Sequence, residues 1–126
     1  MKIIATIARI ILGCVFVIFG LNIFLQFLHM PPPPGGPAGD FAKALFVSHY
    51  IYVVGALQVI GGVLCLAGRF VPLGLMLLGP VIVNILLFHM LLNPAGLPMA
   101  IIVSVLALMV LWQHRAAFAG LVRSNG

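Results

Sequence analysis

The residues able to do chemistry in this chain are few, uncharged and spaced for helices. Asn22, Gln26 and His29 recur at i, i+4 and i+7, so a helix would carry them as one polar stripe. Gln58 stands in line with Ser48, Gly55, Gly62 and Cys65, small neighbours that let another backbone approach. Asn84 and His89 follow Pro80 in the run "GPVIVNILLFHMLLNPAGLP". Amides and an imidazole donate well to carbonyl oxygens, and apolar walls suit an isoprenoid tail. Asn22, Gln26, Gln58, Asn84 and His89 are therefore the candidate ligand-binding set, and a quinone headgroup is the ligand they fit. The competing reading is interhelical hydrogen bonding, worth about 1 kcal/mol for each amide.

Catalytic templates are missing. Asp40 is the lone acid, so no pair of carboxylates can share general acid and base roles. No phosphate-cradling loop and no nucleophile elbow occurs. His29, His49 and His89 have neither a His-x-x-x-His spacing nor a carboxylate beside them, so no metal site is expected. Cys14 and Cys65 are expected at depths roughly 10 Å apart on helices, too far for a disulfide, and read as small core residues. No cofactor is expected beyond a quinone, and the chain is read as non-catalytic.

The elements that must position these residues are dictated by solvent. Hydrophobic residues make up 64% of the 126 and charged residues 6%, against roughly 25% charged in soluble domains. Such a surface belongs in lipid. The basic residues are scattered and form no patch, which argues against nucleic acid. Apolar runs of about 20 residues cross a core of about 30 Å. Four are visible, at about residues 3–28, 50–67, 71–92 and 97–114, with a Pro/Gly-rich loop over 29–40. The first is too long for a signal-peptide core and reads as a retained span. Four spans without an inverted repeat or a buried charge argue against a transporter.

Short turns at "AGRFVP" and "NPAGLP" make the last three spans antiparallel neighbours, with Gly68 capping one helix and Pro72 starting the next. Asp40 to His49 reads as a short interfacial helix, capped by Asp40 and bent near Ser48 and His49. Phe41, Leu45 and Ser48 share one of its faces. The expected fold is all-α: a four-helix transmembrane bundle, residues 1–126 as one domain, with an interfacial helix after the first span. Lys2, Arg9, Arg69, Arg115 and Arg123 fall at one end, while Lys43 at the other is offset by Asp40. The positive-inside rule then makes both termini cytoplasmic and the proline-rich loop external.

Pro80 removes a donor inside the third span and is expected to kink it, opening a gap on the outer side. Asn84 and His89 point about 140° apart on an ideal helix, so a shared pocket asks for such a distortion or for His89 to face a neighbouring helix.

Three blocks, "RIILGCVFVIFGLNIF", "GALQVIGGVLCLAGRFVPLG" and "PVIVNILLFHMLLNPAGLP", resemble the DoxX family of small four-span bacterial membrane proteins. Their order and the proline-rich loop extend the resemblance over nearly the whole chain. It implies a bacterial cytoplasmic (inner) membrane, a lipid bilayer around the chain, and other membrane protein subunits of a redox complex as partners. By the same resemblance the chain is an accessory subunit of a membrane redox or photosynthetic electron-transfer complex, with quinone binding as the alternative. Many relatives carry a glutamate where this chain has Gln58, so a proton-coupled role loses its ionisable group here. Asn22, Asn84 and His89 fit the pattern of a sub-group.

Overall fold

In the computed structural model, residues 2–27 and 35–122 are described. Helix α1 spans Lys2–Leu25, α2 Gly36–Val47, α3 Tyr50–Ala67, α4 Val71–Leu91 and α5 Leu97–Gln113. A short α6, Arg115–Phe118, follows, and single 3-10 turns lie at Pro94–Gly96 and Ala119–Val122. No strand occurs among the described residues. Four of the helices are long and apolar enough to cross a bilayer, and the run from Pro94 to Gln113 is the last of them.

Two boundaries differ from the expectation. Helix α1 stops at Leu25, because Gln26 turns to φ 50 and its N–H closes only one more turn on the Asn22 carbonyl, at 2.8 Å. Gln26 therefore leaves the helical stripe, and residues 28–34, which include His29 and the first part of the Pro/Gly-rich loop expected over 29–40, lie outside the described residues. The interfacial helix begins earlier than Asp40. Gly35 is its N-cap and Pro37 sits in its first turn, where a missing N–H costs nothing and φ is preset. Asp40 is thus an interior residue of α2 and not its cap. The bend falls where expected: His49 takes φ 63, and the Ser48 hydroxyl donates to the Ala44 carbonyl at 2.7 Å. Gly68, at φ 68, ends α3 with its N–H on the Leu64 and Cys65 carbonyls.

The spans form a closed ring in the order α1, α3, α4, α5, while α2 rests against α3. Leu12 and Phe16 of α1, Cys65 of α3, Leu78 of α4 and Val110 of α5 fill the middle. Close approach is set by a glycine pair on α3. A Cβ on Gly62 would come 2.9 Å from the Gly13 carbonyl oxygen of α1, and one on Gly61 would come 2.6 Å from Cγ of Leu78 on α4. Adjacent positions on a helix point about 100° apart, so one dipeptide serves two neighbours.

Arg9, half-buried in α1, donates through Nη1 to the Cys65 and Leu66 carbonyls, the second at 3.2 Å. Both carbonyls lie in the last turn of α3, where that of Cys65 also accepts from the Gly68 N–H, and a cation there suits the helix dipole. Outside the ring, Ile3, Leu87, Leu108 and Trp112 stand open. An apolar exterior of this extent fits lipid and not water.

Candidate functional site

A cavity of about 660 Å³ lies beneath α2, walled by α3 and α4. That size falls within the roughly 300–1,000 Å³ of small-molecule sites. Its walls are mostly apolar, contributed by residues such as Phe41, Leu45, Val54 and Ile85. Three of the sequence candidates, Gln58, Asn84 and His89, line it together. Asn22, half-buried on α1, and Gln26, exposed beyond its end, are not among the lining residues. The five-residue set therefore divides into three plus two.

Gln58 is 8% exposed. Its stem passes Gly20 of α1, where a Cβ would lie 3.0 Å from its own Cβ. Its amide makes no hydrogen bond among the described residues, yet no fully enclosed side-chain nitrogen or oxygen there lacks a partner. The amide thus keeps its access through the cavity it lines. Asn84 is exposed on the α4 wall, and its Nδ2 donates to the Pro80 carbonyl at 3.0 Å. The amide nitrogen of Asn84 therefore bonds within its own helix and not to a neighbouring one. The geometric reason is the i, i+4 spacing, which brings a short amide back over the preceding turn.

Helix α4 is continuous across Pro80. Pro80, Asn84 and Phe88 form one row of its cavity face, and Val81, Ile85 and His89 form the adjacent row. Asn84 and His89 are the two borders of that face, which reconciles their angular separation with a shared cavity.

His89 Nδ1 meets the Asn93 carbonyl at 3.2 Å. Only a protonated Nδ1 can bond a carbonyl, so in the neutral ring Nε2 is left as an acceptor. Phe88 stands edge-on to His89, centroids 5.2 Å apart, and Phe41 of α2 reaches Phe88 at 5.6 Å. These aromatic contacts were not singled out in the sequence, where one Phe among nine carries no distinguishing signal. Gly96 was read only as part of a turn, although the His89 ring packs directly on it.

Among the described residues no three His, Cys, Asp or Glu side chains come together to hold a metal ion. Cys14 and Cys65 are free thiols. The cavity offers two amides and an imidazole in an apolar shell, which can orient a ligand.

A closed bundle of four spanning helices, with one short helix lying across its flank, defines a small multi-pass α-helical membrane protein. The family model for DoxX matches residues 4–90, over two thirds of the chain. The chain belongs to the DoxX family. The matched part runs from α1 almost to the end of α4 and takes in Gln58, Asn84 and His89. Neither a curated protein nor a solved structure matches the chain.

Proposed function

We propose that this DoxX-family protein is a non-catalytic subunit of a membrane redox complex, and that it holds a quinone-like molecule in the cavity under α2. The observation that carries the reading is Gln58: a side chain 8% exposed, without a hydrogen-bond partner among the described residues, on the wall of an apolar cavity. The amide opens onto the cavity, where a ligand's carbonyl or hydroxyl oxygen can pair with it. Asn84 and His89 on the facing wall supply further polar contacts. The bacterial cytoplasmic membrane, with both termini inside, is the setting this reading takes.

Gentle purification with native lipid, followed by quinone extraction and identification of co-eluting subunits, tests it. The expected result is bound quinone in the wild type, about tenfold less in Gln58→Leu, and an oxidoreductase subunit in the same fraction. Quinone at equal background levels in both proteins overturns the binding. A chain that elutes alone under every mild condition overturns the accessory role.

A further inference from the structure

We infer that the cavity is loaded sideways from the hydrocarbon layer, through the seam between α2 and α4, and that it selects a lipid-soluble molecule with an uncharged head. This rests on the reading that the cavity holds a ligand, and it adds where that ligand comes from and what its head must be.

The first argument is position. None of the lining residues belongs to α1 or α5, so the cavity is on the α3–α4 flank and not between all four helices. The middle of the ring is filled: Leu12 and Leu78 are 0% exposed and Val110 1%. Among the described residues these side chains close the bundle axis at their level. Helix α2 packs along α3, and the Phe41–Phe88 ring pair is what brings it to α4. One turn from Phe88 toward Pro80, Asn84 is exposed at that same seam, next to the exposed apolar Val83 and Leu87. In a bilayer these neighbours face acyl chains.

The second argument is charge. No Lys, Arg, Asp or Glu lines the cavity. The two charged residues of α2, Asp40 and Lys43, line a neighbouring groove with Gly35 and Gly36, which meets the cavity only at Ala42 and Phe46. Helix α2 thus lines the cavity with Phe41 and Leu45 while its charged residues do not line it. Apart from the His89 imidazole, whose Nδ1 is engaged by the Asn93 carbonyl, an ionised head would meet no ionisable partner there, at a cost that an uncharged carbonyl or hydroxyl avoids. Gln58 can both donate to and accept from such a group.

Depth is the third argument. Gln58 lies eight residues into α3 from Tyr50, roughly 12 Å along the helix at about 1.5 Å per residue. A phospholipid headgroup stays at the interface and does not sink so far; a neutral head on an apolar tail does.

The test uses the full chain in vesicles with Cys14 and Cys65 replaced by Ala. A bimane fluorophore is attached to a single cysteine at Asn84, with Val54 as a second site should the first variant fold poorly. Lipids brominated on their acyl chains are expected to quench the fluorophore, and aqueous iodide to leave it unchanged. Three photoactivatable probes with one common tail are then compared: an alkyl benzoquinone, a diacylglycerol and a fatty carboxylate. A neutral probe is expected to label the cavity at least about tenfold more than the carboxylate, with Gln58→Leu weakening labelling by the neutral probes. Iodide quenching overturns lateral loading. Equal labelling by the carboxylate, or no labelling by either neutral probe, overturns the selection for an uncharged head. Labelling by diacylglycerol without benzoquinone leaves this inference standing and overturns only the quinone reading.

Discussion

Gly96 lies flat against the His89 ring: a Cβ built on Gly96 would collide with Cε1 and Nδ1 and come 3.1 Å from Nε2. The turn after α4 therefore sets the imidazole's position, and the Nδ1 bond to the Asn93 carbonyl depends on that fit. Gly96→Ala is expected to displace the ring at a cost of about 1–3 kcal/mol, as overpacking does. Thermal unfolding in detergent measures the cost, and the imidazole nitrogen chemical shifts report the lost bond. Gly120→Ala is the control, because nothing lies within 4 Å of a Cβ there. An unchanged midpoint and unchanged shifts in Gly96→Ala would remove the turn from the site.

The amides make opposite predictions under packing and under binding. Gln58→Leu keeps the bulk and removes a buried group with no partner among the described residues, so stability is expected to hold or rise by up to about 1 kcal/mol. Asn84→Leu breaks only the bond to Pro80 in the same helix and is expected to stay within about 0.5 kcal/mol of wild type. Chemical unfolding of the solubilised protein decides this. A loss above about 1 kcal/mol in either variant would return these residues to the role of interhelical links.

The fold was largely legible because lipid imposes a single requirement on every span. The start of α3 at Tyr50, the start of α4 at Val71 and the Gly68 cap follow from apolar length and turn chemistry alone. Helix α2 was legible as an element but not at its start. Asp40 attracts an N-cap reading, whereas Pro37 with Gly35 before it provides an earlier start that a run of prolines and glycines conceals. The site was legible only in its polar members. Whether a polar residue meets another helix, its own helix or a void depends on helix rotation, and uniformly apolar spans give that rotation no amphipathic signal. Asn22 and Gln58 look equivalent in sequence, yet only Gln58 reaches the cavity.

Arg9 illustrates a role hidden behind another. Its place in an apolar span reads as a topology signal, but its guanidinium also bonds two carbonyls at the end of α3. Arg9→Met is expected to cost about 1–3 kcal/mol, the range for hydrogen bonds to a charged group. Arg9→Lys should recover only part of this, because the shorter lysine stem leaves Nζ farther from the two carbonyls that Nη1 of Arg9 reaches. Equal stability in wild type and Arg9→Met, measured in detergent at the same pH, would reduce Arg9 to its topological role.

The glycine pair gives a graded test of packing. At Gly61 an added Cβ meets mainly the Leu78 side chain, at 2.6 and 2.9 Å. At Gly62 it meets the backbone of α1, with the Gly13 oxygen at 2.9 Å and the Val17 nitrogen at 3.0 Å. A side chain can rotate away, whereas a helix backbone must be pushed out whole. Alanine also gains about 1 kcal/mol of helix propensity over glycine, which offsets part of the clash. Gly62→Ala should therefore be the more damaging by about 1 kcal/mol or more. The reverse order in unfolding midpoints would mean that α1 and α3 are not in the contact described.

Orientation decides which aqueous compartment borders the cavity end. Lys2, Arg69 and Arg115 lie at the end of the bundle where α1 starts and α5 ends, with Arg9 about two turns in, while Lys43 is the single basic residue of α2 and shares that helix with Asp40. The expected topology has the basic end in the cytoplasm and α2 with its cavity in the external half of the membrane. Gly35 and Gly120 suit cysteine substitution, since nothing lies within 4 Å of either Cβ position. In a background without Cys14 and Cys65, Gly35→Cys should react with an impermeant maleimide in intact cells. Gly120→Cys should react only after the membrane is opened. Labelling of Gly120→Cys in intact cells, with Gly35→Cys protected, would invert the protein and put the cavity beside the cytoplasm.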